Sequence, residues 1–365
     1  MKVPFLDLKA GYLEIQSELD EGLINFCKSG QYIGGLKLQN FEENFAIFVE
    51  AASCVGLANG LDAIKVSLTA LGIGDGDEVI VPAHTFIATW LAVTSCGATP
   101  VPVDCDPLSY SIDFKKINQA ITNKTKAIIP VHLYGQPVDL DPIIELAKLN
   151  NLFVIEDAAQ AHGAFYKSKR IGGHSDVVAW SFYPGKNLGA FGDGGAITTN
   201  NLDLSEKIRV LSNYGAKKKY VHDKIGINSR LDPMQAIILD IKLKHLDNWN
   251  NRRRKIAKKY LTELKGLGLI LPDHFSLSEG AWHLFPVRTN RRDELLAELT
   301  KKDIDAIIHY PIPPHNQKSY SKDFNHYKLP VAEEVASQLL SLPIGPHLEM
   351  DAVDFVIDTI KNFLK

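Results

Sequence analysis

The chain has 365 residues, of which 45% are hydrophobic, and a formal net charge of -3. That length exceeds one ordinary core, so two domains or one large α/β domain with an appendage are expected, and the near-neutral charge makes no case for nucleic acid or a membrane surface as partner. Cys27, Cys54, Cys96 and Cys105 lack CxxC or metal-like spacing and read as buried thiols of a reducing, cytoplasmic compartment; the start, Met1 to Asp7, has no signal-peptide character, and no apolar run approaches bilayer length.

From Ile15 to about Phe26 the spacing of Ile15, Leu19, Leu23 and Phe26 predicts an amphipathic helix that stops before Lys28-Ser29-Gly30. Gln31 to Gly35 reads as a turn-rich loop, and Phe41, Phe45 and Phe48 lie at helical spacing as core candidates. Cys54 to Ala58 reads as a strand, followed by Asn59-Gly60-Leu61-Asp62 and a helix with Leu61, Ile64, Leu68 and Leu71 on one face. A strand, a small-residue turn and a helix start leave free amides and a helix dipole facing a ligand, so the Gly60-Leu61 turn suits a phosphate monoester. The lysine and Ser/Thr of a P-loop are absent, and an ordinary βα turn has the same pattern.

Asp77 to Val81 is the next strand, and Pro82-Ala83-His84-Thr85-Phe86 its exit loop, where Phe86 suits either the face of a cofactor ring or the core. Thr99 to Val103 and Ala127 to Val131 give further strands, the latter ending on His132-Leu133-Tyr134-Gly135-Gln136. Asp141-Pro142 then reads as the N-cap and N1 of a helix. Alternating strands and helices over residues 50 to 200 predict an α/β fold with a mostly parallel sheet.

Asn151 to Ile155 reads as a buried parallel strand that delivers Glu156, Asp157, Gln160 and His162 at its carboxyl end, where open α/β sheets bind ligands. A second apolar run starts at Val177 and ends on Ser181; Phe182-Tyr183-Pro184-Gly185-Lys186-Asn187-Leu188-Gly189 follows, then Gly192-Asp193-Gly194-Gly195. Lysine is costly to bury unless its ammonium is paired or its pKa falls, and in the second case it becomes a nucleophile able to form a Schiff base. Taken alone, Lys186 fits a solvated glycine-rich loop better, since most lysines are solvated. An aspartate at a strand end followed by such a lysine matches what a pyridoxal phosphate (PLP) enzyme requires: the lysine holds the aldehyde, and the carboxylate keeps the pyridine nitrogen protonated.

A helix is expected from Leu204 to Leu211, then Asn213-Tyr214-Gly215 and a basic run, Lys217 to Lys219, suited to solvent or to a diphosphate. Asn228-Ser229-Arg230-Leu231 leads into a helix carrying Met234, Ile237, Ile238, Ile241 and Leu243; Arg252-Arg253-Arg254-Lys255 is expected to open another. The domain boundary is placed between them, near residue 245, giving a large domain over 1–245 and a smaller C-terminal α+β domain over 246–365. Trp282 to Val287 reads as a strand and Arg291 to Lys301 as a helix. The loop His309-Tyr310-Pro311-Ile312-Pro313-Pro314-His315 lacks metal spacing and is read as a substrate contact.

Three stretches together resemble a known family: Asp157-Ala158-Ala159-Gln160-Ala161-His162-Gly163, Ser181 to Gly189, and Gly192-Asp193-Gly194-Gly195-Ala196. They look like the DegT/StrS nucleotide-sugar aminotransferases, PLP enzymes of fold type I (the aspartate aminotransferase fold), and the likeness runs from Pro4-Phe5-Leu6-Asp7-Leu8 to His309-Tyr310-Pro311. The resemblance implies that Lys186 forms the internal aldimine, Asp157 pairs with the pyridine nitrogen, and Gln160 lies near the phenolic oxygen. It further implies that Ser181 and the amides of Gly60 and Leu61 hold the phosphate and Phe86 stacks on the ring. Asn228 would reach the phosphate of the neighbouring subunit, which makes the active site that of a homodimer. Leu61 departs from the hydroxyl residue often found at its position, leaving only a backbone contact; Lys186 argues against the relatives in which histidine replaces the lysine.

The implied reaction is transfer of an amino group from L-glutamate to a nucleotide-linked keto sugar, in the biosynthesis of deoxyamino sugars for lipopolysaccharide or other glycans. Tyr183, with Pro184-Gly185, and the His309 to His315 loop resemble the branch acting on dTDP-3-keto-6-deoxyhexoses, with Tyr183, His309, Tyr310 and His315 as substrate contacts. The alternatives are the same chemistry on a UDP- or dTDP-linked 4-keto sugar and, from the parallel sheet and glycines, a nicotinamide-dependent oxidoreductase. Against the latter, Gly189 to Gly195 lacks the fingerprint that should open a helix.

Overall fold

A computed structural model describes residues 1–273 and 278–365. Seven strands build the central sheet: β1 (Ser53–Leu57), β2 (Glu78–Pro82), β3 (Thr99–Val103), β4 (Thr125–Ile128), β5 (Phe153–Asp157), β6 (Val177–Ser181) and β7 (Gly195–Thr199). Their spatial order is β1-β7-β6-β5-β4-β2-β3. β7 runs antiparallel to β1 and β6, and every other neighbouring pair is parallel. The carboxyl ends of β1, β2, β4, β5 and β6 therefore lie along one edge, which β7 enters at its amino end. The expected mostly parallel sheet forms, made mixed by the antiparallel β7.

Alternate residues of β6 divide the core into two layers. Val177 and Ala179 join Leu57, Val79, Val81 and Ile155 beneath the helices α1 (Gly60–Ala70) and α2 (Ala88–Ser95). Val178 and Trp180 face the other way, onto Phe41, Phe45 and Leu239 of the helices Leu36–Phe48 and α3 (Pro233–Leu243). Both faces are covered, which is why these strands read as near-continuous apolar runs.

The C-terminal part packs an antiparallel pair, β8 (Phe285–Arg288) with β9 (Leu339–Leu342), against α4 (Leu246–Glu263), the helix Arg292–Lys301 and α5 (Met350–Leu364). The boundary expected at residue 245 falls in the turn between α3 and α4, and packing crosses it: Leu246 belongs to the core of the sheet, whereas Val3 belongs to the C-terminal core and bridges to Ile304.

Three local expectations are corrected. Asp141 and Pro142 lie inside the first turn of the helix Leu140–Leu149, whose N-cap is Asp139; first-turn amides need no intrahelical acceptor, so proline is tolerated there. The run Arg252 to Lys255 lies within α4, because burial of Leu246, Trp249 and Asn250 extends the helix upstream. Of the four thiols, Cys54 and Cys105 are buried, Cys96 is half-buried and Cys27 is exposed. Among the described residues, no helix is long and apolar enough to cross a membrane.

Candidate active site

The sheet edge gathers residues that are distant in sequence. Asn59 caps α1 by accepting the Asp62 amide at 2.8 Å, so the first free amides of that helix belong to Gly60 and Leu61. Gly60 lies against the end of β6: a Cβ placed on it would sit 2.7 Å from the Cβ of Ser181 and 3.2 Å from its Cα. Gly195 is equally constrained, since a Cβ there would come within 2.4 Å of the Asn59 carbonyl. The two glycines let the helix start, with its positive dipole end, approach the end of β6 at Ser181, so free amides and a hydroxyl together form a cradle suited to an anion.

Asp157, 7% exposed at the end of β5, accepts the Thr89 hydroxyl at 2.8 Å on Oδ2 and the Ala159 amide at 3.2 Å on Oδ1. Burial pushes its carboxyl upward from the usual range; the Thr89 and Ala159 bonds and the positive charge of Lys186 oppose that rise. Lys186 is half-buried overall. Protein surrounds it closely enough for burial to lower its amine to about 8, against the pull of Asp157. An amine with that pKa has a substantial neutral, nucleophilic fraction near pH 7 to 8.

Three histidines feel the Lys186 charge and stay neutral. Burial, then that charge, takes His162 to about 3 and His309 to about 4, and holds His283 well below the ordinary range. His283 Nδ1 lies 3.2 Å from the Asn187 amide oxygen, beside the lysine in sequence. Behind β5, His132 Nδ1 accepts the Val138 amide at 3.1 Å, so Nε2 carries the proton and donates it to Glu156 at 2.8 Å.

Gln160 is fixed at both ends of its amide. Oε1 accepts the Tyr134 backbone N–H at 2.5 Å, and Nε2 donates to the Tyr310 hydroxyl at 3.1 Å. The Tyr134 hydroxyl donates to the His309 carbonyl at 2.5 Å, so His84 Nε2, 2.7 Å away, donates to it in turn. Phe86 is half exposed, with its ring centroid 5.3 Å from that of Tyr310, and is therefore not a core residue.

The remaining candidates are placed as follows. Tyr183 is exposed beside the lysine loop, and His309 Nδ1 is 3.0 Å from the Ser341 hydroxyl. His315 is 1% exposed and bonds Glu333 at 3.1 Å. Asn228 is exposed, its backbone bridged to Asn213. Gly192, Gly194 and Gly195 run into β7 rather than opening a helix, unlike a dinucleotide fingerprint.

Several residues in this region were not singled out from sequence. Thr85 and Thr89, Tyr134 and His283 are four; the i, i+4 spacing of the two threonines beyond β2 was the available signal. Lys242 of α3 is another: it donates to the Gly189 carbonyl at 2.6 Å, lies 4.5 Å from the Phe191 ring centroid, and is lowered to about 8 by burial. A neutralisable amine, a buried carboxylate, an anion cradle and a half-exposed aromatic ring make a set that pyridoxal phosphate fits.

The chain is similar to known proteins over nearly its whole length. The model of the DegT/DnrJ/EryC1/StrS aminotransferase family matches residues 13–361. The chain is 50% identical over 364 residues, 99% of its length and 96% of the other, to a dTDP-3-amino-3,4,6-trideoxy-alpha-D-glucose transaminase from Streptomyces venezuelae. It is 47% identical over 361 residues, 99% of each chain, to a dTDP-3-amino-3,6-dideoxy-alpha-D-galactopyranose transaminase from Aneurinibacillus thermoaerophilus. The crystal structure of S. venezuelae DesV in complex with a ketimine intermediate superposes with a TM-score of 0.98 at 50% identity, covering 100% of this chain and 99% of that one. A family match spanning residues 13–361, on a fold and a site of this kind, has one reading: the chain belongs to the DegT/DnrJ/EryC1/StrS aminotransferase family.

Proposed function

We propose that this protein is a PLP-dependent aminotransferase that moves an amino group from L-glutamate to the C3 ketone of a dTDP-linked 3-keto-6-deoxyhexose. The observation that carries the chemistry is the mutual influence of Lys186, an amine lowered to about 8, and the buried carboxylate of Asp157, each within reach of the other's charge. The sugar assignment is supported by the two relatives, both named as dTDP-3-amino-sugar transaminases. When bound, PLP supplies an aldehyde that condenses with amines and a ring that stores electrons released at the neighbouring carbon.

The chain's own residues divide the remaining work. Lys186 would be the amine that holds the aldehyde and, when free, the base placed to take up and return the proton at the donor's α-carbon. Asp157 would be the counter-charge for the ring nitrogen, with Gln160 and Phe86 holding the rest of the ring; Gly60, Leu61 and Ser181 would hold the phosphate, joined by Asn228 of a second copy in a homodimer, a reading its exposed position supports. Tyr183, His309 and Tyr310 contact the sugar; the burial of His315 and its bond to Glu333 support a bracing role for it behind that loop. The four unpaired cysteines support a cytoplasmic location.

The test is to incubate pure, PLP-loaded protein with L-glutamate and a panel of dTDP- and UDP-linked 3-keto and 4-keto sugars, with mass and NMR analysis of the product. A dTDP-3-amino sugar is expected. Exclusive amination at C4, or of a UDP sugar, would overturn the substrate assignment.

A further inference from the structure

Thr89 is fully buried in the first turn of α2. A threonine or serine within a helix ordinarily returns its hydroxyl proton to the carbonyl four residues back. Neighbouring residues do so: Thr94 donates to the Trp90 carbonyl at 3.0 Å, and Ser95 to that of Leu91. Thr89 instead gives its proton to Asp157 Oδ2 at 2.8 Å. That proton is then committed, so the 3.0 Å contact between the Thr85 and Thr89 hydroxyls is made with a proton from Thr85. Two buried hydroxyls, Thr85 in the loop before α2 and Thr89 in its first turn, thus form a chain that ends on the carboxylate, and a hydroxyl donor stabilises the charged form of a carboxylate that burial would otherwise neutralise.

We propose that Thr89, backed by Thr85, is a positioning residue whose hydroxyl holds Asp157 as a fixed, charged acceptor for the ring nitrogen of the coenzyme. The inference rests on the PLP assignment above. Thr89 does not itself touch substrate; it acts through Asp157.

The test compares Thr89→Val, which keeps the shape and loses the hydroxyl, with Thr89→Ser, which keeps the hydroxyl. For each apoprotein the thermal midpoint, the PLP dissociation constant and the visible spectrum of the reconstituted protein are measured. Thr89→Val is expected to bind PLP about tenfold to a hundredfold more weakly, the factor for one lost hydrogen bond to a charged group. Its visible band should shift away from that of the ring-protonated coenzyme, while Thr89→Ser keeps the wild-type affinity and band. Should Thr89→Val fail to fold, Thr89→Ala against Thr89→Ser isolates the same hydroxyl. Wild-type affinity and spectrum in the variants lacking the hydroxyl, or an equal loss in Thr89→Ser, would overturn the proposal. A wild-type protein that takes up no PLP overturns both this inference and the function, whereas normal uptake with indifferent Thr89 variants overturns this inference alone.

Discussion

Gly60→Ala probes the anion cradle directly. The added methyl would lie 2.7 Å from the Ser181 Cβ and 3.2 Å from its Cα, and the second contact is with backbone that cannot rotate away. Relief requires the start of α1 to withdraw from β6, an overpacking strain of about 1–3 kcal/mol. At roughly 2.1 cal/mol/K per residue, that strain lowers the apoprotein's thermal midpoint by about 1–4 °C. Withdrawal also moves the Gly60 and Leu61 amides away from the Ser181 hydroxyl, and weakening one hydrogen bond to a phosphate charge costs about 1.5–3 kcal/mol. The PLP dissociation constant should therefore rise about tenfold to a hundredfold, measured by fluorescence titration of apoprotein. An alanine variant with unchanged midpoint and unchanged PLP affinity would refute the cradle, and so would loss of affinity for pyridoxal, which has no phosphate, by the same factor.

Other outcomes follow from the same geometry. Because Lys186 is lowered to about 8 from an ordinary 10.5, its uncharged form dominates above pH 8; the rate of PLP capture by apoprotein should rise about tenfold per pH unit below that point and level off above it, whereas an unshifted lysine would keep the rate climbing to pH 10. Tyr134→Phe leaves His84 Nε2 and the His309 carbonyl without their shared partner, and should raise KM for the nucleotide sugar about tenfold with a smaller change in kcat; an unaltered KM counts against the latch between Tyr134 and the His309 loop. Glu156 is buried, which pushes its carboxyl up, but the hydrogen bonds it accepts from His132 and from the Ser175 hydroxyl outweigh that and leave it below its ordinary 4.5. Its contribution to stability is thus present above pH 4.5 and is lost as pH falls through the lower folded value. Glu156→Gln should cost about 1–3 kcal/mol at neutral pH by chemical denaturation, and the gap from wild type should close on acidification.

The sheet was legible because its strands are buried on both faces. Thr99 to Val103 matches the observed strand at both ends, and the apolar run from Val177 ends where β6 delivers Ser181. Lys186 and Asp157 stand out in the sequence because a carboxylate at a strand end and a lysine among glycines are residue types that core packing alone would not select. The Thr89 contact was hidden, because a threonine hydroxyl in a helix reads as an ordinary back-bond until its acceptor, from another strand, is in place. Tyr134 was hidden by backbone: its φ of 62° turns its amide onto Gln160, and nothing in the run His132 to Gln136 marks that residue as left-handed. The start of α4 was misread because four consecutive cations look like a solvated helix entrance, while Arg253 is in fact buried and donates to the carbonyls of Trp282, His283 and Ile344.

The most direct test of the account is to load the protein with PLP, reduce it with borohydride to fix any lysine linkage, and map the modified peptide by mass. The modification should fall on Lys186 alone and vanish in Lys186→Ala together with all transamination. Labelling of Lys242, the other amine lowered to about 8, in place of Lys186, or no labelling at all, would contradict it.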